Sequence, residues 1–397
     1  MIIGVVGKPS SGKSTFFNAA TMLDVPMASY PFTTIEANKG IGFVRVECVD
    51  KEFGVQCNPR TGFCHNHVRF VPVELIDVAG LVPGAHEGKG MGNQFLSDLS
   101  RASVLIHVVD ASGSTNEKGE TISAGSHDPA KDIEFLEEEI DLWFYGILEK
   151  NWPKFSKIPF DSKAKLITAI TQNLSGIGAK ESQIDETLRE TNLLEKKLAL
   201  WSEEEKKLFA RRFREKSKPI IIAANKADLP SAKENIERLR KKFPEKEIIA
   251  CSAISELTLK KAAKEQAIDY VQGGKEFREL KELSEKQRQG VDYIKKNVLQ
   301  IFGSTGVQEV LEKAVFELLG FIAIFPGGTK GLTDSEGRTL PDCWLLPPKS
   351  TALEFAFAIH TDIGQGFIKA IDVKTKQLIG KEHELKHRDV VEVVFKK

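Results

Sequence analysis

The chain has 397 residues, 56 Lys+Arg against 56 Asp+Glu, 41% hydrophobic and 28% charged, a composition that excludes a disordered chain and fits two or three globular domains. Zero formal net charge gives no whole-molecule attraction to nucleic acid or anionic lipid, so any such partner must be met by a local patch. Five cysteines do not make a secreted disulfide framework, no stretch reaches the roughly 18 apolar residues of a membrane span, and MIIGVVG enters an apolar strand without a leader; the expectation is a cytoplasmic protein with no membrane partner.

Ile2 to Val6 is a short apolar run suited to a strand buried on both faces. Gly7-Lys8-Pro9-Ser10-Ser11-Gly12-Lys13-Ser14 follows at once, matches GxxxxGK[ST], and leads into a helical stretch from Thr15. In that context backbone N–H groups turn toward a polyphosphate, Lys13 reaches its β and γ phosphates, and the Ser14 hydroxyl binds Mg²⁺. The loop implies a nucleotide without saying which.

Cys48, Cys57, Cys64, His65 and His67 then fall within one short stretch between two expected strands. Thiolate and imidazole at such spacing could hold a tetrahedral Zn²⁺ on a hairpin tip, or form a redox pair; without CxxC pairs they equally suit a plain loop with free cysteines. Cys251 and Cys343 fall in expected strands and read as small core residues.

The strand Phe70 to Val78 ends in Asp77-Val78-Ala79-Gly80, where a carboxylate can serve the Mg²⁺ shell and the Gly80 N–H can meet a γ-phosphate. Val104 to Val109 is a further strand. From Asp128 the composition turns to Glu, Lys and Leu, with Trp143, Trp152 and Trp201. Asp128-Pro129 starts one helix, and Ser202 with Glu205 makes a capping box for another. The expectation is a helical hairpin inserted between two strands and packed by the tryptophans.

Pro219 to Ala224 is an apolar strand followed by Asn225-Lys226-Ala227-Asp228. An Asp228 carboxylate can accept from both the ring N–H and the exocyclic amine of guanine, an arrangement adenine lacks, so guanine is favoured. After the strand Ile248 to Cys251, Ser252-Ala253 suits a loop offering a backbone N–H to the guanine carbonyl. Residues 256–320 continue helical and charged, passing Ser304-Thr305-Gly306. From Phe321, FIAIF, DCWLLP, GFIKAIDV and VVEVVF read as strands, with Ser350 to Ile359 as one helix, which makes a small α+β domain.

These residues resemble the Obg-like, translation-factor-related P-loop GTPases of the YchF type. GKPSSGKS, YPFTTIEAN at Tyr30 to Asn38, DVAGLVPGA at Asp77 to Ala85, NKAD, and the C-terminal LPPKSTALEFAFAIHTDIG, which looks like a TGS domain, carry the resemblance across nearly the whole chain. It implies GTP and GDP as ligands, nucleotide hydrolysis, ribosome or RNA association, and a β-grasp terminal domain. The fold class is therefore α/β: a doubly wound P-loop GTPase sheet with an inserted helical hairpin and a C-terminal β-grasp (ubiquitin-like) α+β domain. The expected divisions are 1–127 with 218–320 for the nucleotide domain, 128–217 for the insert and 321–397 for the terminal domain. Thr34, in preference to Thr33, would be the switch threonine that senses Mg²⁺ and the γ-phosphate. Gly84, Gly88, Gly90 and Gly92 would give a second switch loop its freedom.

Three departures bear on mechanism. Leu81 stands where Ras-like enzymes orient water with glutamine, and leucine can do neither polarising nor orienting, so intrinsic hydrolysis should be slow. Ser10 stands where potassium-activated relatives carry asparagine. The intact NKAD departs from the ATP-preferring members and favours GTP. Basic groups at Lys206, Lys207, Arg211, Arg212, Arg214, Lys216 and Lys218, and at Arg238, Arg240, Lys241 and Lys242, could meet RNA phosphates, although glutamates interleave the first group.

Overall fold

The computed structural model describes residues 1–21, 38–78, 92–157 and 162–396. They form two compact units: 1–21, 38–40 and 74–310 in the first, 41–73 and 311–396 in the second.

The first unit is built on parallel strands. β1 (Ile2–Val6), β4 (Val68–Asp77), β5 (Val104–Asp110), β6 (Ile220–Asn225) and β7 (Ile248–Ala250) are the five runs expected from the sequence. With β2 (Lys39–Glu47) they take the order β2-β4-β1-β5-β6-β7, and β3 (Phe63–His65) pairs with β4; β3, residues 41–47 of β2 and residues 68–73 of β4 fall in the second unit. The order reverses at β1, so a crevice opens at its carboxyl end, the usual ligand position in a doubly wound sheet. Helix α1 (Lys13–Thr21) leaves from that crevice and packs against α8 (Ala253–Lys264). β5 is buried throughout, which explains its unbroken apolar run.

Between α2 (Gly92–Arg101) with β5 and the return to β6, the described residues of the inserted segment contain four α-helices: α3 (Pro129–Phe155), α4 (Lys163–Asn173), α5 (Glu181–Glu190) and α6 (Glu203–Ser217). α3 and α6 are the two expected helices and pack against each other. Asp128 caps the first at Ala130, and Ser202 and Glu205 form the reciprocal box of the second. α4 and α5 are additional; they are short, and a Ser162 cap starts α4. Trp143 and Trp201 are buried, Trp152 lies 5.5 Å from Trp201, and the cluster continues through Phe209, Phe213 and Phe144 to Val6 and Leu105 of the sheet. The tryptophans are packing.

α7 (Ala232–Lys242) lies between β6 and β7. Beyond α8 the charged stretch is less uniformly helical than expected. A short hairpin, β8 (Ile268–Asp269) with β9 (Arg278–Glu279), precedes α9 (Glu285–Ile294), α10 (Gln300–Phe302) and α11 (Val307–Glu312), with π-helical turns at Lys295–Leu299 and Lys313–Leu318. Two-residue strands are too short to leave a periodic signal in the sequence.

The second unit holds a five-strand sheet in the order β11-β10-β14-β12-β13, from β10 (Ile322–Pro326), β11 (Trp344–Leu346), β12 (Phe367–Asp372), β13 (Leu378–Ile379) and β14 (Val390–Phe395). β10 and β14 are parallel and the other pairs antiparallel. Helix α12 (Ala352–Ile359) starts at a Thr351–Glu354 capping box and buries Phe355 with Ile324, Ala370 and Val391; a short α13 (Thr361–Gln365) follows. This is the β-grasp arrangement. Residues 41–73 of the same unit are tied to it by Arg45–Glu312, by a pair between Arg60 and Asp342, and by the buried Arg69 guanidinium, which donates to the carbonyls of Leu340 and Pro341 at 3.1 and 2.9 Å.

Candidate nucleotide site

The loop between β1 and α1 is held from behind by Asn225. Its amide donates to Ser11 O at 3.0 Å, and its oxygen accepts from Ala253 N–H at 3.0 Å. One side chain at the end of β6 therefore fixes the phosphate loop and the Ser252-Ala253 loop relative to each other. Gly12, at φ +91°, passes so close that a Cβ there would lie 2.2 Å from the Asn225 amide nitrogen, so no larger residue fits. Pro9 and Ser10 are exposed at the crest and Ser10 is left-handed.

Lys13, the first residue of α1, forms an ion pair with Asp77 at the end of β4, and Ser14 Oγ donates to the other Asp77 oxygen at 3.3 Å. Lys13 and Ser14 meet the sequence-distant Asp77 because β1 and β4 are paired with Val5 beside Asp77. Ser14 and Asp77 offer a hard hydroxyl and carboxylate oxygen, the donor type that Mg²⁺ takes. Thr15 follows in α1. Thr33, Thr34, Gly80, Leu81, Gly84, Gly88 and Gly90 lie outside the described residues.

Asp228 is half-buried and its carboxylate accepts from Ser252 Oγ at 2.7 Å, while Tyr293 OH donates to the Asp228 carbonyl at 2.9 Å. Lys226, left-handed at φ +62°, turns its ammonium to Asp110 at 2.8 Å. Burial pushes the Asp110 carboxyl up, but Lys226 with the Ser112 and Thr115 hydroxyls outweighs it and holds the group below its ordinary range. Cys251 is buried, and Ser252 N–H donates to Thr305 O at 2.9 Å. Glu256 binds the hydroxyls of both Thr305 and Tyr270.

Sequence reasoning missed Asp110, Tyr293 and the Thr305–Glu256 pair. A carboxylate ending β5, in register beside Asn225, was the available signal for the first. Lys8 behaves otherwise than expected of a residue in the loop: its ammonium is buried, donates to Thr115 O at 2.8 Å and pairs with Asp132 of α3.

The remaining candidate clusters divide. Lys206, Lys207, Arg211, Arg212, Arg214 and Lys216 each pair with a carboxylate of the insert, and Lys218 is buried against the carbonyls of Ser100 and Ala102. Burial lowers Lys218 to about 8. Arg238 and Lys242 pair with Asp128 and Glu134, and Arg240 donates to the Ile248 carbonyl. The first group is thus a charge-matched face, as its interleaved glutamates suggested. Of the cysteine and histidine group, Cys48, Cys57 and Cys64 converge with Asp50, whereas His65 contacts Asn66 and His67 Nδ1 binds Asp50 at 2.9 Å. The two histidines do not join the sulfurs: His67 is hydrogen-bonded to Asp50, and His65 is exposed beside Asn66.

A phosphate loop, an Asp-ended neighbouring strand and an NKAD-to-SA base loop on a doubly wound sheet define a P-loop GTPase-type nucleotide-binding protein. The family models that match are the 50S ribosome-binding GTPase over residues 2–138, the Obg-like GTPase YGR210-like, G4 motif-containing domain over 223–327, and the TGS domain over 334–395. An uncharacterized GTP-binding protein, MJ1332, of Methanocaldococcus jannaschii is 45% identical over 394 residues, covering 99% of this chain and 98% of that one. The ribosome-binding ATPase YchF of Bacillus subtilis is 30% identical over 95% of this chain and 89% of its own. A crystal structure of a GTP binding protein from Pyrococcus horikoshii matches with a TM-score of 0.78 at 39% identity, covering all of both chains. The chain belongs to the Obg-like GTPases of the YchF type that carry a C-terminal TGS domain.

Proposed function

We propose that this protein binds GTP in preference to ATP, hydrolyses it slowly with Mg²⁺, and acts in the cytoplasm as a switch in association with ribosomes or RNA. The observation that carries guanine preference is the Asp228 carboxylate, oriented by Ser252 and rigidly joined through Asn225 to the phosphate loop. One Asp228 oxygen is engaged by Ser252, and the carboxylate retains acceptor capacity for the guanine edge. Adenine would leave that acceptor facing an unmatched base.

Lys13 exchanges Asp77 for the β and γ phosphates when a triphosphate enters, which frees Asp77 for the metal shell. Ser14 and Asp77, with Thr34 from the switch sequence, would hold Mg²⁺; the ion neutralises charge on the phosphates when bound. The loop N–H groups, with the Gly80 N–H of the DVAG sequence, would orient the transferring phosphoryl group. With Leu81 in the position after DVAG, no side chain there orients water, so positioning alone supports a low rate and a partner supplies the rest. The printed name of the Bacillus relative, ribosome-binding ATPase, supports the ribosome as that partner. Its ATPase half is the competing reading, against which Asp228 stands. On this reading 1–127 with 218–320 act on the nucleotide, 128–217 is an accessory insert, and 321–397 is a binding module.

The test is hydrolysis of GTP, with an equal ATP control, with and without purified ribosomes. Stimulation with GTP alone supports the switch. Equal turnover of ATP removes the guanine assignment, and tight GTP binding without turnover under either condition replaces the enzyme by a nucleotide-sensing RNA or ribosome-binding factor.

A further inference from the structure

Outside the nucleotide site, one cluster of side chains has no part in the chemistry above. Cys48 Sγ and Cys57 Sγ are 3.6 Å apart, Cys64 Sγ is 3.8 Å from Asp50 Oδ2, and the three sulfurs and one Asp50 oxygen all lie within 4.8 Å of one another. A disulfide would need sulfurs about 2.05 Å apart. A tetrahedral zinc with Zn–S bonds of about 2.3 Å has edges of about 3.8 Å between its ligand atoms. We propose that Cys48, Cys57, Cys64 and Asp50 form a structural Zn²⁺ site.

The ligands are placed by backbone as well as by side chain. Cys48 follows β2 and its N–H donates to His67 O at 2.7 Å; Asp50 sits in the 3₁₀ turn Val49–Lys51; Cys64 lies in β3. Asp50 is fully buried, takes the Cys57 N–H on Oδ2 at 3.0 Å and the His67 ring on Oδ1 at 2.9 Å. A ligating carboxylate held by outer hydrogen bonds in this way is the usual second shell of a metal site. Cys48 and Cys57 are buried and Cys64 is partly exposed, which leaves an entry path.

The charge balance points the same way. Arg69 is fully buried, its terminal nitrogens bind two carbonyls, and its Nε has no hydrogen-bond partner among the described residues. A guanidinium stays ionised when buried and is costly there without an anion nearby. Its field acts on both Cys57 and Cys64. Three thiolates and a carboxylate around a divalent ion leave a net negative centre, which the buried Arg69 guanidinium partly offsets. The site would fasten the stretch whose next residues, Asn58 and Arg60, hydrogen-bond to the carbonyls of Thr339 and Pro341 at 2.8 and 2.9 Å.

The full-length protein purified under reducing conditions should contain about one zinc per chain. After removal of zinc, Co²⁺ should restore a sulfur-to-cobalt charge-transfer band and the intense visible bands of a tetrahedral site. The band should be lost in Cys48→Ser and Cys64→Ser, altered in Asp50→Asn, and unchanged in Lys13→Ala, which touches only the nucleotide site. Cys64→Ser, at the partly exposed ligand, keeps the test open if Cys48→Ser does not fold. Absence of the band, its survival in the cysteine variants, or a Cys48–Cys57 disulfide in the reduced preparation overturns the proposal.

Discussion

Lys8 Nζ lies 2.8 Å from Asp132 Oδ2, each side chain only 6% exposed, which joins the phosphate loop to the first helix of the insert. The contact is an ion pair without hydrogen-bond alignment at that oxygen; the other Asp132 oxygen meets His127 at 2.8 Å. Removing one partner strands a buried charge. Asp132→Asn should therefore cost about 3–5 kcal/mol and weaken nucleotide binding by loosening the loop. Lys8→Met with Asp132→Leu should recover most of the stability. Urea unfolding of the single and double variants decides it: a single variant within about 0.5 kcal/mol of wild type would show that the pair does not hold the loop.

Asp228→Asn should lower GTP affinity by about 10- to 100-fold, the worth of one or two charge-assisted hydrogen bonds. The same change should raise affinity for xanthosine triphosphate, whose ring carbonyl can accept from the new amide. Competition against a fluorescent guanine nucleotide measures both, and unchanged discrimination would remove Asp228 from the base site.

His107 is fully buried on β5, beside a cavity of about 180 Å³ that Lys8, Glu117, Lys131 and Asp132 also line. Burial first, then the positive charges of Lys8 and Lys246, lower its pKa to about 3. The unfolded chain protonates this ring near pH 6.5 while the native state does not, so the unfolded state binds more protons between the two values. The stability is fully present above pH 6.5 and is lost as pH falls toward 3. Between pH 7 and 5 the loss amounts to at most about 2 kcal/mol. His107→Gln should flatten that part of the stability profile, and an identical slope in variant and wild type would place the titration elsewhere.

Gly306, at φ +81°, passes the end of β7 so closely that a Cβ would stand 2.0 Å from Ala250 O. Its neighbour Thr305 holds the Ser252 N–H. Gly306→Ala should destabilise the fold by about 1–3 kcal/mol and reduce guanine affinity, although the glycine touches no nucleotide in the proposed scheme. Calorimetric titration with GDP, run beside thermal unfolding, separates the two effects; normal affinity in a destabilised variant would confine Gly306 to packing.

What could be read in the sequence follows from how local each signal is. Lys13, Ser14, Asn225 and Asp228 stand in short contiguous motifs next to apolar strands, and the strand ends bring them together. The β-grasp strands show themselves as apolar runs between turn residues. Asp50 and Arg69 gave no signal, because an isolated acid and an isolated base become partners of the cysteines only after the chain has folded back on itself. α4 and α5 were passed over because they are short, 11 and 10 residues, so each buries few apolar side chains, Leu166 and Ile170 in one and Ile184 and Leu188 in the other. For the basic run before β6, the interleaved glutamates already suggested a charge-matched face; the partners Glu149, Glu190 and Asp141 come from other helices, and a linear reading cannot assign those pairs.

The second compact unit is assembled from 41–73 and 311–396, so Arg45, Arg60 and Arg69 meet partners that lie 267 to 282 residues further along the chain. At bacterial or eukaryotic elongation rates of about 5–20 residues per second, the hairpin waits on the order of 10–50 s for its other half. During that interval the nascent chain presents an incomplete sheet extension whose three cysteines are already near one another in sequence while Arg45, Arg60 and Arg69 lack their distant partners. A bound metal would hold that early hairpin in shape, which makes its loading an event of synthesis as much as of the finished protein.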